Sequence, residues 1–207
     1  MIITRHFIFG HMGRTGGDAV HQIMKELCRL GLESPLRLDE ITDPKKHESL
    51  ASQDRGARLA VATIRRLPAW ELSFMHHRLR YPEPAIPPEG TSYGPEEMIR
   101  GRRADEHLIR MTADGTVPVD HWIQMERLRE GLLKLLEQFY ELTPTQRAAV
   151  LGFPTKQSLD YDHDYTKVFT FAELCSLYEA NPRWAAVERE VYGNLLCDSI
   201  AVLRSGL

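Results

Sequence analysis

The sequence predicts an α/β protein with a mainly parallel sheet flanked by helices, and three segments carry that prediction. Residues 2–9 are largely apolar and run into a glycine-rich turn and then a helical pattern. Leu59–Ile64 is a compact apolar run with β-branched Val61 and Ile64, and Pro68 opens a helix behind it. Residues 117–125 alternate, and Leu128, Leu132, Leu135, Leu136 and Phe139 recur behind them at helical steps. Strands alternating with helices build a parallel sheet covered on both faces. Ligands of such sheets sit at the carboxyl ends of strands.

Taken in order, the chain reads as a strand over 2–9, a glycine-rich turn over 10–17 and a helix over 18–30. Val20, Ile23, Met24, Leu27 and Leu30 form its apolar stripe, and Gly31 ends it. A short strand follows over 36–41, then a polar stretch over 42–58. The strand over 59–64 leads to a helix from Pro68 to Arg80. Residues 82–95 hold five prolines and two glycines, the composition of a loop. A polar helical piece covers 95–110, and the strand over 117–125 precedes a leucine-rich helix. Thr143-Pro144 is an N-cap with proline at the first helical position. After a loop over 152–169, Thr170 and Glu173 have capping-box spacing, and Asn181-Pro182 starts the last helix. The chain has no internal repeat and no low-complexity tract.

Length and composition bound the function. At 207 residues this is one domain spanning 1–207, long enough to bury a core. With 43% hydrophobic and 27% charged residues the chain is globular rather than disordered. A net charge of −3 argues against bulk nucleic-acid binding, which needs a basic face. Cys28, Cys175 and Cys197 are too few and too scattered for a disulfide framework or a zinc site. No signal peptide or membrane span is legible, so a cytoplasmic protein acting away from membranes is expected. The oligomeric state is not legible.

The chemistry concentrates in residues 7–19, Phe-Ile-Phe-Gly-His-Met-Gly-Arg-Thr-Gly-Gly-Asp-Ala. A strand, a glycine-rich turn and a helix start aim backbone amides and the positive end of a helix dipole at one point. That geometry cradles a phosphate or sulfate. A nucleotide-hydrolase loop is excluded, because no Lys-[Ser/Thr] pair follows Gly16 or Gly17, and a G-x-G-x-x-G fingerprint does not fit. A nucleotide kinase is a third class, which shares the fold type but has the Lys-[Ser/Thr] pair that this chain lacks.

The segment resembles the 5′-phosphosulfate loop of carbohydrate-type sulfotransferases, F-I-H-I-P-K-T-G-G-T-S. His11, Thr15, Gly16 and Gly17 match, and Arg14 stands for the family lysine. Gly13, Asp18 and Ala19 replace Pro, Thr and Ser. A second motif follows Ile64: Arg66-Leu67-Pro68 and Ser73 resemble the R-x-P and serine that bind the 3′-phosphate. Aligning on Ser73 selects Arg65 instead, so both arginines stay candidates. Residues 119–128 and the chain from Asp160 to Gly193 add weaker likeness. The resemblance implies a P-loop-like sulfotransferase fold. It also implies 3′-phosphoadenosine 5′-phosphosulfate (PAPS) as donor, no metal, and a hydroxyl of a sugar or small metabolite as acceptor. Residues 80–115 would form an acceptor-site lid.

On that reading Arg14, Thr15, Gly16, Gly17, Asp18 and Ala19 hold the 5′-phosphosulfate, and Arg65 or Arg66 with Ser73 holds the 3′-phosphate. Arg14 also stabilises charge on the bridging oxygen, acting electrostatically because arginine does not readily give up a proton. His47 is the candidate base, with Glu40 in reserve. Asp18 cuts the other way: a carboxylate suits a helix start but repels a phosphosulfate. Together with Ala19 it favours the alternative of a non-catalytic nucleotide- or anion-binding protein on the same fold.

Overall fold

The structure, a computed structural model, describes residues 1–40, 47–80, 103–114, 117–154 and 163–198. The chain divides into two compact units, residues 1–64 with 107–156 and residues 65–106 with 157–207.

The first unit is built on a five-stranded sheet. Its strands are β1 (Ile2–Ile3), β2 (Phe7–Gly10), β3 (Arg37–Leu38), β4 (Leu59–Ile64) and β5 (His121–Gln124), in the order β3-β1-β2-β4-β5. β2, β4 and β5 run parallel, with Gly10 opposite Ala62 and Ile64 opposite Gln124. β1 is antiparallel to both β2 and β3. The sheet is therefore mixed, and the mainly parallel sheet read from the sequence is corrected at one edge. The cause is local. Thr4 breaks the expected strand over 2–9: its hydroxyl accepts from the amides of His6 and Phe7 and donates to the Phe7 carbonyl. That side-chain turn folds residues 2–9 into a hairpin.

Helix α1 (Gly17–Arg29) lays its stripe of Val20, Ile23, Met24 and Leu27 into a core shared with Phe7, Phe9, Val61 and Ile123. Leu132, Leu135 and Leu136 of α4 (Leu128–Leu136) and Val150 of α5 (Pro144–Leu151) complete it. Gly131 is needed for close packing: a Cβ there would stand 2.7 Å from Ile123 Cγ2. Thr143 caps α5, as its sequence position predicts, and Gln146 completes a capping box there that the sequence reading did not include.

The second unit holds α2 (Leu67–Arg80), α6 (Phe171–Ala180) and α7 (Pro182–Tyr192). Its centre is aromatic, with the Trp70 and Trp184 rings 5.1 Å apart and Trp70 stacked on Phe74 at 5.2 Å. The expected capping box at Thr170 and Glu173 is present. Asp105 satisfies the first amides of α7, accepting from Arg183 at 3.1 Å and from Trp184 at 2.8 Å. Asp105 lies on α3 (Arg103–Thr112), whose residues after Glu106 belong to the first unit. The expected loop over 82–95 and most of the expected lid over 80–115 lie outside the described residues. Among the described residues no helix is long and apolar enough to cross a membrane.

Candidate anion-binding site

β2 ends at Gly10 and α1 begins at Gly17, and the six residues between them form the loop singled out by its glycines. The turn is made with two left-handed residues, Arg14 at φ 65° and Gly16 at φ 89°. Gly16 caps α1 through its backbone: its carbonyl accepts from Ala19 at 3.0 Å and Val20 at 3.2 Å. The helix is thus entered without a capping side chain. The amino end of α1 is the positive pole of the helix, where an anion is favoured. Arg14 holds a conformation that non-glycine residues seldom adopt, a form of backbone strain concentrated at functional loops.

Thr15 anchors the loop. It is fully buried, its hydroxyl donates to the Met12 carbonyl at 2.7 Å, and it bonds the Thr63 hydroxyl of β4 at 2.8 Å. Thr63 is not part of any motif read from the sequence. The one signal for it is a hydroxyl residue near the carboxyl end of an otherwise apolar strand.

The second glycine is explained by packing. The His11 imidazole lies over Gly17, so that a Cβ on residue 17 would come within 2.2 Å of His11 Cδ2. Gly13 has open space around it. Gly17→Ala should therefore destabilise the protein by about 1–3 kcal/mol, the usual range for forced overpacking. Gly13→Ala should have little effect, and chemical denaturation of the two variants checks the contrast.

Asp18 sits at the second position of α1 with its side chain half exposed, and its Oδ1 is 3.6 Å from His11 Nε2. Two further imidazoles adjoin His11. The His47 ring centroid is 4.6 Å away and the His21 ring centroid 5.4 Å away. His47 Nδ1 lies 3.1 Å from the His11 carbonyl, and His21 Nδ1 lies 3.1 Å from the Asp39 carbonyl. A carbonyl only accepts, so both rings carry their proton on Nδ1 and, when neutral, keep the Nε2 lone pair. His47, the candidate base, is exposed beside the loop, whereas the reserve base Glu40 is paired with Lys25 at 2.8 Å. Ala19 follows within α1, half-buried against the core.

The other candidates belong to the second unit, and here the two arginines differ. Arg66 donates from Nη1 to Glu188 Oε1 at 3.0 Å and to the Asn194 carbonyl at 2.6 Å. Its Nη2 donates to Asn194 Oδ1 at 3.0 Å, and the guanidinium lies 4.1 Å from the centre of the Tyr192 ring. Both terminal nitrogens and one face of the Arg66 guanidinium are thus engaged by protein. Among the described residues no hydrogen bond or ion pair engages the Arg65 guanidinium; its carbonyl accepts from Trp184 Nε1 at 3.1 Å. Ser73 lies two turns into α2 and is buried.

Two residues absent from every motif also stand out. Glu71 on α2 is fully buried, and neither carboxyl oxygen has a hydrogen-bond partner among the described residues. Desolvation pushes it up to about 8, offset in part by the charge of Arg103. His21 is also fully buried, below the loop. Among the described residues no group of three His, Cys, Asp or Glu side chains could hold a metal ion.

Comparison with family models, with curated proteins and with solved structures finds no match.

Proposed function

We propose that the protein is a PAPS-dependent sulfotransferase acting on a hydroxyl of a sugar or small metabolite. The observation that carries this reading is the loop from His11 to Gly17. It leaves a parallel strand at its carboxyl end, turns through left-handed Arg14 and Gly16, and delivers the first turn of α1 as an anion cradle.

In the reaction the acceptor oxygen attacks sulfur in line. The bond between sulfur and the bridging oxygen breaks, and adenosine 3′,5′-bisphosphate leaves. Arg14 and the loop amides meet the charge that develops on the bridging oxygen. His47 takes the acceptor proton on Nε2, while its Nδ1–H bond to the His11 carbonyl holds the tautomer that permits this. Positioning and charge stabilisation carry most of the rate, as in phosphoryl transfer.

For the 3′-phosphate we assign Arg65 with Ser73. Both the spacing to Ser73 and the engagement of Arg66 by Glu188 and Asn194 favour it. Calorimetry checks the assignment. Adenosine 3′,5′-bisphosphate should bind more tightly than AMP or ATP. Arg65→Ala should cost it about 2 kcal/mol for a lost charged contact, while AMP binding stays unchanged. Equal affinity for the bisphosphate and AMP overturns the reading.

A non-catalytic anion-binding protein on the same fold is the second reading, favoured by the half-exposed Asp18 carboxylate in the first turn of α1 and by the missing hydroxyl at Ala19. Such a protein would bind the bisphosphate and the donor alike without turning the donor over in the presence of any hydroxyl acceptor.

A further inference from the structure

We propose that Cys175 and Cys197 form a reversible disulfide: a peroxide oxidises the pair, the new bond fastens the stretch after α7 to α6, and thiols release it. The inference is independent of the sulfotransferase reading.

The fold makes a pair of two cysteines that stand apart in the sequence. Cys175 lies on α6 and Cys197 lies beyond the end of α7, both in the second unit. Both are free thiols and both are half-buried, which leaves surface for a small oxidant. Their side chains are in hydrogen-bond contact with each other. The surrounding backbone explains the meeting. Tyr178 stands three residues along α6 from Cys175, on the same side of the helix, and its hydroxyl accepts from the Leu196 amide at 3.5 Å. The Leu195 amide donates to Asp198 Oδ2 at 3.1 Å, which turns the chain around Cys197. The same stretch carries Asn194, whose carbonyl and side chain hold Arg66. A bond from Cys197 to α6 therefore ties down a segment that the second unit uses to hold its own arginine. Cys28 is the contrast. It lies in the first unit, on α1, and its thiol is hydrogen-bonded with Ser34.

The electrons balance with a peroxide as oxidant. The Cys197 thiol donates to Asp198 Oδ1 at 3.8 Å, and burial first, then that carboxylate, push its ionisation up to about 11. The thiolate is the nucleophile, so Cys175 attacks first. Its sulfur takes one peroxide oxygen, the O–O bond breaks, and a sulfenic acid and one water result. The Cys197 sulfur then attacks the Cys175 sulfur. The S–S bond forms, the S–O bond breaks, and hydroxide leaves with the Cys197 proton as a second water. The two thiols lose two electrons and the peroxide gains them. A dithiol reverses the step by thiol–disulfide exchange and is itself oxidised.

The test is oxidation of the full, folded chain with equimolar hydrogen peroxide. Peptide mapping without reductant should join the peptides that hold Cys175 and Cys197. The chain should lose two hydrogens in mass and keep one titratable thiol of its three. Closing a loop of about 23 residues should raise the melting temperature by about 5 °C or more. Dithiothreitol should return it to the starting value. Cys28→Ser should change none of this. In Cys197→Ser the sulfenic acid should remain at Cys175 and react with dimedone, and its absence there overturns the order of attack. Mapping of the unaltered chain decides the pairing if that variant does not fold. A chain that keeps all three thiols, gains oxygen without a crosslink, or pairs through Cys28 or between molecules overturns the proposal. A Cys175–Cys197 crosslink that leaves the melting temperature unchanged overturns the fastening of the stretch to α6.

Discussion

Replacing Glu188 by alanine is expected to cost about 3–5 kcal/mol of stability, the range for breaking a buried ion pair by deleting one partner. Glu188 is fully buried on α7 and holds three donors at once. Its Oε1 accepts from Arg66 at 3.0 Å and from the Tyr178 hydroxyl at 2.7 Å, and its Oε2 accepts from the Leu67 amide at 2.8 Å. The Tyr178 phenol stays protonated far above its usual range, through burial first and the neighbouring carboxylate second, so it acts as the donor. Alanine would leave a guanidinium, a phenol and the first amide of α2 without their acceptor. Glu188→Gln retains an oxygen for one or two of these and should lose less. Urea denaturation gives both values, and a loss below about 1 kcal/mol for alanine would show that Arg66 finds solvent instead.

Stability is expected to fall as pH rises from 5 to 9, and Glu71→Gln should remove most of that fall. The folded-state value of Glu71, about 8, stands above an ordinary 4.5. For a raised value the contribution is fully present below the unfolded value. It is lost as pH climbs to the folded one, because the unfolded chain releases its proton first. Above pH 8 the folded protein must carry a buried carboxylate whose oxygens lack hydrogen-bond partners among the described residues. The difference amounts to a few kcal/mol at about 1.4 kcal/mol for each pH unit. Denaturation midpoints measured across the range should converge between the two proteins at pH 5 and separate at pH 9, with the glutamine variant the more stable. A wild-type profile flat over this range would mean that Glu71 is ionised and paired in solution.

Much of this was legible in the residues. The stripe on α1, the strand over 59–64, the Thr143 cap, the capping box at Thr170 and Glu173 and the proline-led helices are local patterns. Short-range sterics and hydrogen bonding fix them, and the structure has them where the spacing puts them. The glycine loop was legible as a strand-to-helix turn for the same reason, since Gly16 takes a left-handed conformation that favours glycine. Thr4 was missed. A single hydroxyl redirecting the chain inside an apolar run leaves no periodic trace, and it converts one expected strand into a hairpin.

The sequence by itself determined the kinds of element, their order and the glycine-rich turn from β2 into α1, because these depend on neighbours along the chain. Only the tertiary structure decided which side chains share a charge. The spacing left Arg65 and Arg66 equivalent; contacts with Glu188 and Asn194, more than a hundred residues away, commit one of them to the protein. It also set His11 beside Asp18 and His47, and buried Glu71 without a hydrogen bond among the described residues. Charge pairing and desolvation depend on distance through space and on the exclusion of water, and neither is written in the order of the residues.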